Sequence, residues 1–370
     1  MFLALRELKH AKMRYSLIAL IMVLIAWLVL FVSGLAQGLS SDNASSIQNM
    51  NADYLIVQKE SDHRLTRSTI SEAQLAEIRE FTDKASAAPL GVQMTAVTKA
   101  GEAKKLDATL FAIETEGILA PALAEGRMID EDTPDEAVVD LSFKEAGVVL
   151  GDVLEEQMSG QQFKVVGFTK GQSFSHSPVI HVNFKEWGSL KAAVSRGGTS
   201  DGTNYNAIAL QADTAKADQI GESISGIEVI SKDQALQGIP GYKEEQGSLL
   251  MMVAFLFVIA AFVLAVFFYV ITIQKMNQFG VLKAIGASSG YLARNIISQV
   301  MTLSVTSLAI SIGLTYGVAA ILPASMPFDL SPGLVGLCSV LFLAVAVVGS
   351  LLSLYRVVKV DAIEAIGRTA

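Results

Sequence analysis

The chain has 370 residues, of which 51% are hydrophobic and only 17% charged, with a formal net charge of −8. That balance is too apolar for an ordinary soluble protein, and its acidic excess gives no footing for nucleic acid. A single cysteine, Cys338, excludes a disulfide framework and metal sites of the Cys-x-x-Cys kind.

In chain order, residues 1–15 set Phe2, Leu3, Leu5, Leu8 and Met13 among basic positions. They read as a cytoplasmic elbow helix lying in the membrane interface. Residues 16–38 form the first expected transmembrane helix. The basic residues Arg6, Lys9, Lys12 and Arg14 imitate the start of a signal peptide. The apolar run that follows is too long for one and lacks a small-residue cleavage pattern, so an anchor is expected.

Residues 39–245 read as an α+β extracellular domain that starts after a Ser/Asn-rich exit. Alternating apolar positions predict strands near residues 52–58, 92–98, 108–113, 137–139, 163–168, 179–182, 207–211 and 228–230. Ser71, with Gln74 three residues on, predicts a capped helix start. Further helices are expected at 142–146, 184–194 and 216–225, and residues 171–177 and 196–204 read as plain loops.

Residues 246–274 carry no charge and give a second transmembrane helix. A cytoplasmic coupling segment follows at 275–290. A third helix is expected at 291–322, a short external link at 323–332, a fourth helix at 333–355 and a cytoplasmic tail at 356–370. Each apolar window exceeds the ~20 residues needed to cross ~30 Å of hydrocarbon. The expected fold class is therefore a membrane α-helical protein with four transmembrane helices, one plus three. An extracellular α+β domain is inserted between helices 1 and 2.

Charge sets the expected orientation. Ten Lys/Arg against three acids sit at the two termini and the 275–294 loop, whereas residues 42–245 hold 18 basic residues and 32 acids, a net of −14. The positive-inside bias then puts both termini in the cytoplasm and the protein in the cell membrane.

The chemistry expected of an enzyme is missing. No phosphate-binding loop, His-Glu-x-x-His or Gly-x-Ser-x-Gly pattern occurs, and the histidines at 10, 63, 176 and 181 are scattered. No catalytic residue is assigned. The most informative segment is cytoplasmic. Gly280 is expected to end one helix, while Val281, Leu282 and Ile285 share an apolar face with Lys283 at its edge. Such a knob on a long helix can transmit a partner's movement; the plainer reading is a turn that lies on the membrane.

Here the sequence resembles the FtsX-like, MacB-type permeases of ABC transporters. The matching residues are Gln274-Lys275, the run Gly280-Val281-Leu282-Lys283-Ala284-Ile285-Gly286-Ala287-Ser288 and, near the C-terminus, Lys359-Val360-Asp361-Ala362-Ile363-Glu364-Ala365-Ile366. Ala362 stands where that family usually has proline. Gly126-Arg127, Asp135-Glu136-Ala137-Val138-Val139, Gly151-Asp152 and Phe163-Lys164-Val165-Val166-Gly167 follow the family's order in the inserted segment.

Within the family the nearest likeness is to the haem-exporter permeases (HrtB-like) of Gram-positive bacteria. It rests on Phe31-Val32-Ser33-Gly34-Leu35-Ala36-Gln37-Gly38-Leu39, Glu245 through Met251-Met252, the block from Phe267 to Lys275, and Met326-Pro327-Phe328.

The resemblance implies a homodimeric efflux permease without enzymatic activity of its own, driven by two copies of a separate ABC ATPase. Haem, taken from the bilayer, is then the transported substrate and not a cofactor. Phe279, Val281, Leu282, Lys283 and Ile285 are implied as ATPase-coupling residues. Glu244, Glu245, Met251, Met252 and Phe31 are candidates for haem binding, with Glu245 and Met252 toward the iron, which accepts carboxylate and thioether ligands. A Glu and a Met seven residues apart stand about 10.5 Å apart along one helix face, too far to share one iron without a second subunit or helix. Packing methionines and a solvated glutamate are the plainer reading. Export of peptide, antibiotic or lipoprotein, or mechanical control of external hydrolases, are the alternatives.

Overall fold

The computed structural model describes residues 12–131, 133–194, 204–323 and 326–358. The expected elbow helix, the 359–366 motif and most of the 196–204 loop lie wholly or largely outside them. The chain divides into two compact units, Met1–Gly38 with Ser248–Ala370, and Leu39–Gly247.

Helix α1 runs Lys12–Gln48, followed by strands β1 (Tyr54–Gln58) and β2 (Ile70–Ser71), helix α2 (Glu72–Phe81), and strands β3 (Ala87–Lys99) and β4 (Lys105–Ile113). Next come β5 (Leu123–Gly126), β6 (Glu136–Asp140), α3 (Ser142–Glu145), β7 (Val153–Glu156) and β8 (Gln162–Thr169). Then follow β9 (Ser173–Phe174), β10 (Ser177–Val182), α4 (Phe184–Val194), β11 (Asn204–Tyr205) and β12 (Ala207–Leu210). The inserted unit closes with α5 (Thr214–Ser223), β13 (Ile227–Ser231) and α6 (Lys232–Gln237). Helices α7 (Tyr242–Gln274), α8 (Met276–Ala284), α9 (Ser289–Ala319) and α10 (Pro332–Val358) complete the chain.

Among the described residues, four helices are long and apolar enough to cross a membrane: Tyr15–Gln48, Tyr242–Gln274, Ser289–Ala319 and Pro332–Leu351. Their shared core explains the spacing. Tyr15, Ile18, Met22, Ala26 and Leu30 recur every three or four residues along α1 and meet Leu292, Ile296, Val300 and Leu303 of α9. Helix α7 contributes chiefly its later part, through Leu264, Phe268 and Ile271, with Phe257 packed against the same core. Ser311 Oγ donates to the Val23 carbonyl (2.9 Å) and to Ser307 O (2.8 Å). Small hydroxyl residues let α1 and α9 approach closely and cross-link in an apolar medium.

The inserted unit is a mixed sheet ordered β13-β1-β12-β3-β4-β10-β6-β8-β5, with β7 paired to both β3 and β8. Strands β3, β4, β10, β6, β8 and β7 thus close into a ring, which leaves no free edge among them. Its interior is filled by Val97, Leu110, Val139, Phe163, Phe168 and Ile180, with Trp187 of α4. Beyond the ring, the sheet extends through β12, β1 and β13. Alternation along β1 sends Leu55 and Val57 to one core and Ile56 to another, beneath α2 and α5. Ser71 caps α2 in a capping box with Gln74, as its spacing predicts.

Three local expectations need correction. Helix α1 does not stop with the expected membrane span at residue 38 but stays helical through the Ser/Asn-rich exit to Gln48. Tertiary bonds from this segment override the weak helix propensity of serine and asparagine. Residues 171–177 are a tight hairpin, with Ser177 paired to Phe174 and Pro178 to Ser173. Gly280 lies inside α8, whose end is set by Gly286 at φ +98. Gly286 N donates to Lys283 O (3.0 Å) and Ala287 N to Leu282 O (2.9 Å), the paired closure that a left-handed glycine allows.

Candidate functional site

The first turn of α7 places Glu245 beside the end of α1 and the β9–β10 hairpin. Asn43 Nδ2 donates to Glu245 Oε2 at 2.6 Å. His176 Nε2 lies 3.2 Å from the same oxygen, and His176 Nδ1 lies 2.9 Å from Asp42 Oδ2. An imidazole can donate from both nitrogens only as the cation. Burial lowers the affinity of His176 for its proton, but the hydrogen bond to Asp42 and the charge of Glu245 outweigh that and hold its pKa above the ordinary value.

The hairpin tip pays for this placement in backbone strain: Ser175 and His176 have φ 52 and 59. Ser175 N donating to Asn43 O (2.7 Å) and the Ser45–Ser173 hydroxyl pair (2.8 Å) hold the tip in place. Among the described residues no group of three His, Cys, Asp or Glu is arranged to hold a metal ion. With its proton on, His176 makes the Asp42–His176–Glu245 chain an ionic clasp.

Glu244 is exposed, as are Met251 and Met252 further along α7. Phe255, Ile259 and Phe262 continue that apolar surface. Phe31 is half-buried in an aromatic row, 6.0 Å from Trp27 and 5.4 Å from Phe328 between ring centroids. Two segments remote in sequence meet there. A Cβ at Gly34 would come within 2.7 Å of the Phe328 ring, and one at Gly38 within 2.3 Å of the Pro327 carbonyl oxygen. Asp329 N donates to Gly34 O at 3.1 Å.

At the other end of α7 the helix breaks at Lys275 and restarts as α8. Phe279 is buried in the helical core and Leu282 packs against it. Val281 and Ile285 face outward, 56% and 76% exposed, and Lys283 is partly buried. The expected apolar face is thus split, because one side of so short a helix must seal the bundle. Lys275 is itself buried. Its Nζ lies 3.3 Å from Gln299 Oε1 and 5.4 Å from the centre of the Tyr15 ring, and Gln299 Nε2 donates to Tyr15 OH at 2.5 Å. Residue spacing carries no sign of this network, or of His176, since their partners come from distant segments.

Residues 16–227 match the model of the MacB-like periplasmic core domain, and residues 250–362 that of the FtsX-like permease C-terminal domain. A Staphylococcus haemolyticus protein provisionally named hemin transport system permease protein HrtB is 32% identical over 367 residues, covering 99% of each chain. A protein of the same provisional name from Staphylococcus epidermidis is 29% identical over 371 residues, again covering 99% of both. An uncharacterized ABC transporter permease of Mycobacterium tuberculosis is 23% identical over 371 residues, with 99% of both covered.

Among solved structures, the extracellular domain of the noncanonic ABC-type transporter YknZ from Gram-positive bacteria is 16% identical. It matches 49% of this chain and 100% of its own with a TM-score of 0.36. The sequence matches span both units and all four long helices, and on them this membrane protein belongs to the FtsX-like, MacB-type family of ABC transporter permeases.

Proposed function

We propose that this permease exports haem from the cell membrane as one half of a homodimer driven by two separate ABC ATPase subunits. Both termini and α8 lie in the cytoplasm, and the inserted domain lies outside, in line with the concentration of basic residues at the termini and the 275–294 loop. The observation that carries the reading is the end-to-end likeness to proteins provisionally named for hemin transport.

The exposed surface of α7 supports it. Met251, Met252 and Phe255 offer thioether and aromatic contacts to a flat, apolar macrocycle. Glu244 and Glu245 stand at the start of the same helix. Asn43 and His176 both engage Glu245 Oε2, so Oε1 is the oxygen that would reach iron, opposite Met252 of a second copy. ATP-driven closure of the ATPases would push on Val281 and Ile285. The movement would pass along α7, squeezing the substrate outward as helices shift against one another.

Haem titration of the purified full chain tests this. A saturable Soret shift is expected, weakened about tenfold or more in Glu245→Ala and in Met252→Ala. A flat response in the unaltered protein would end the haem reading and leave the family assignment standing.

A further inference from the structure

Among the described histidines, His181 is 2% exposed and His63 is half-buried beside Glu228. His176 differs: its side chain is 44% exposed, at the tip of the hairpin between β9 and β10.

Its two ring nitrogens are not held alike. Nδ1 lies 2.9 Å from Asp42 Oδ2, whereas Nε2 lies 3.2 Å from Glu245 Oε2. A carboxylate on one nitrogen is the usual support of an imidazole whose other nitrogen meets a metal, because it fixes the ring and raises its basicity. The longer contact is the one more readily given up. Asn43 Nδ2 donates to the same Glu245 oxygen at 2.6 Å, so Oε2 keeps a partner when the imidazole leaves it.

The backbone points the same way. Ser175 and His176 sit at φ 52 and 59, where a side chain is disfavoured and glycine is at ease. Ser175 N donating to Asn43 O at 2.7 Å, and Ser173 bonded to Ser45, hold the tip against the end of α1. Strain kept in place by outside bonds in this way gathers where a side chain must be aimed. Haem iron does not need a cluster of protein ligands: the porphyrin fills four positions, and the protein supplies axial donors, of which neutral imidazole is a common one.

We propose that His176 Nε2 is a second station for haem iron, receiving the macrocycle from Glu245 as it leaves the membrane. The inference rests on the haem reading above and adds an imidazole to it. In the exchange the bond from iron to Glu245 breaks, the bond from iron to Nε2 forms, and the Nε2 proton passes to the surrounding water. Asp42 holds the Nδ1 proton throughout.

Ferric haem is the probe, added to the full chain in lipid nanodiscs. Binding is read from the Soret band, and the ligand from electron–nuclear double resonance on protein carrying 15N-labelled histidine. In Glu245→Ala, which removes the first station, the haem still bound should show a labelled imidazole coupled to the iron. Adding His176→Gly, a residue suited to φ 59, should abolish that coupling and weaken the remaining binding about tenfold. Adding Asp42→Asn instead should weaken it by a similar factor, and His63→Gln should change nothing. A Soret response in the unaltered protein with no imidazole coupling in Glu245→Ala, or a coupling that survives His176→Gly, would overturn this inference and leave the haem reading standing. No Soret response in the unaltered protein would overturn both.

Discussion

His176 joins three segments that no short stretch of sequence connects: Asp42 near the end of α1, its own hairpin, and Glu245 at the start of α7. With its folded pKa above the ordinary value near 6.5, the clasp contributes its full stabilisation below that value and loses it as pH rises through the elevated one. The side chain is 44% exposed, which caps the contribution at about 1 kcal/mol. Thermal unfolding of the full chain and of His176→Gln, from about pH 5.5 to about 8.5, should show the two curves converging toward the alkaline end. A gap independent of pH would mean that the ring acts by packing alone. Sequence reasoning passed His176 over because a lone histidine in a polar stretch carries no pattern. Only the fold supplies its carboxylates.

Elements were legible where a single physical demand sets them. Apolar runs long enough for a bilayer declare themselves by length, and Ser71 with Gln74 announces α2 because both bonds of the capping box are local. Elements set by distant partners were not legible. The last turns of α1 look like a linker by composition, yet Ser45 and Asn43 find bonds on β9 and α7 that hold them helical. Phe279, implied as an ATPase-coupling residue, packs into the helical core, and nine residues of weak amphipathicity could not say which face would close the bundle.

The contact between α1 and the segment before α10 gives a prediction at this scale. Gly38→Ala would drive a methyl into the Pro327 carbonyl, at 2.3 Å. Overpacking of this kind costs typically ~1–3 kcal/mol. The variant should unfold at lower temperature than the parent and lose protection of the residues from Met326 onward in hydrogen exchange. Unchanged stability would show that this segment yields freely.

For the whole molecule, the proposed ATPase drive gives the exposed face of α8 a role to test. Val281 and Ile285 are its outward apolar residues, while Phe279 and Leu282 tie the same short helix into the bundle. Because Ile285 is 76% exposed, Ile285→Asp should leave the chain folded and cut capture of the ATPase subunit by roughly tenfold, the size expected of a central interface anchor. Co-purification with and without the substitution measures it, and undiminished capture would move the contact elsewhere.

The break at Lys275 adds a constraint on how any such push can travel. A bare kink would let α8 swivel and waste the stroke. Here the joint is pinned by a desolvated ammonium against Gln299 and the face of Tyr15, and dragging that charge from its partners is expensive. A push arriving at α8 would therefore load α9 and α1 through these two contacts as well as α7 through the chain.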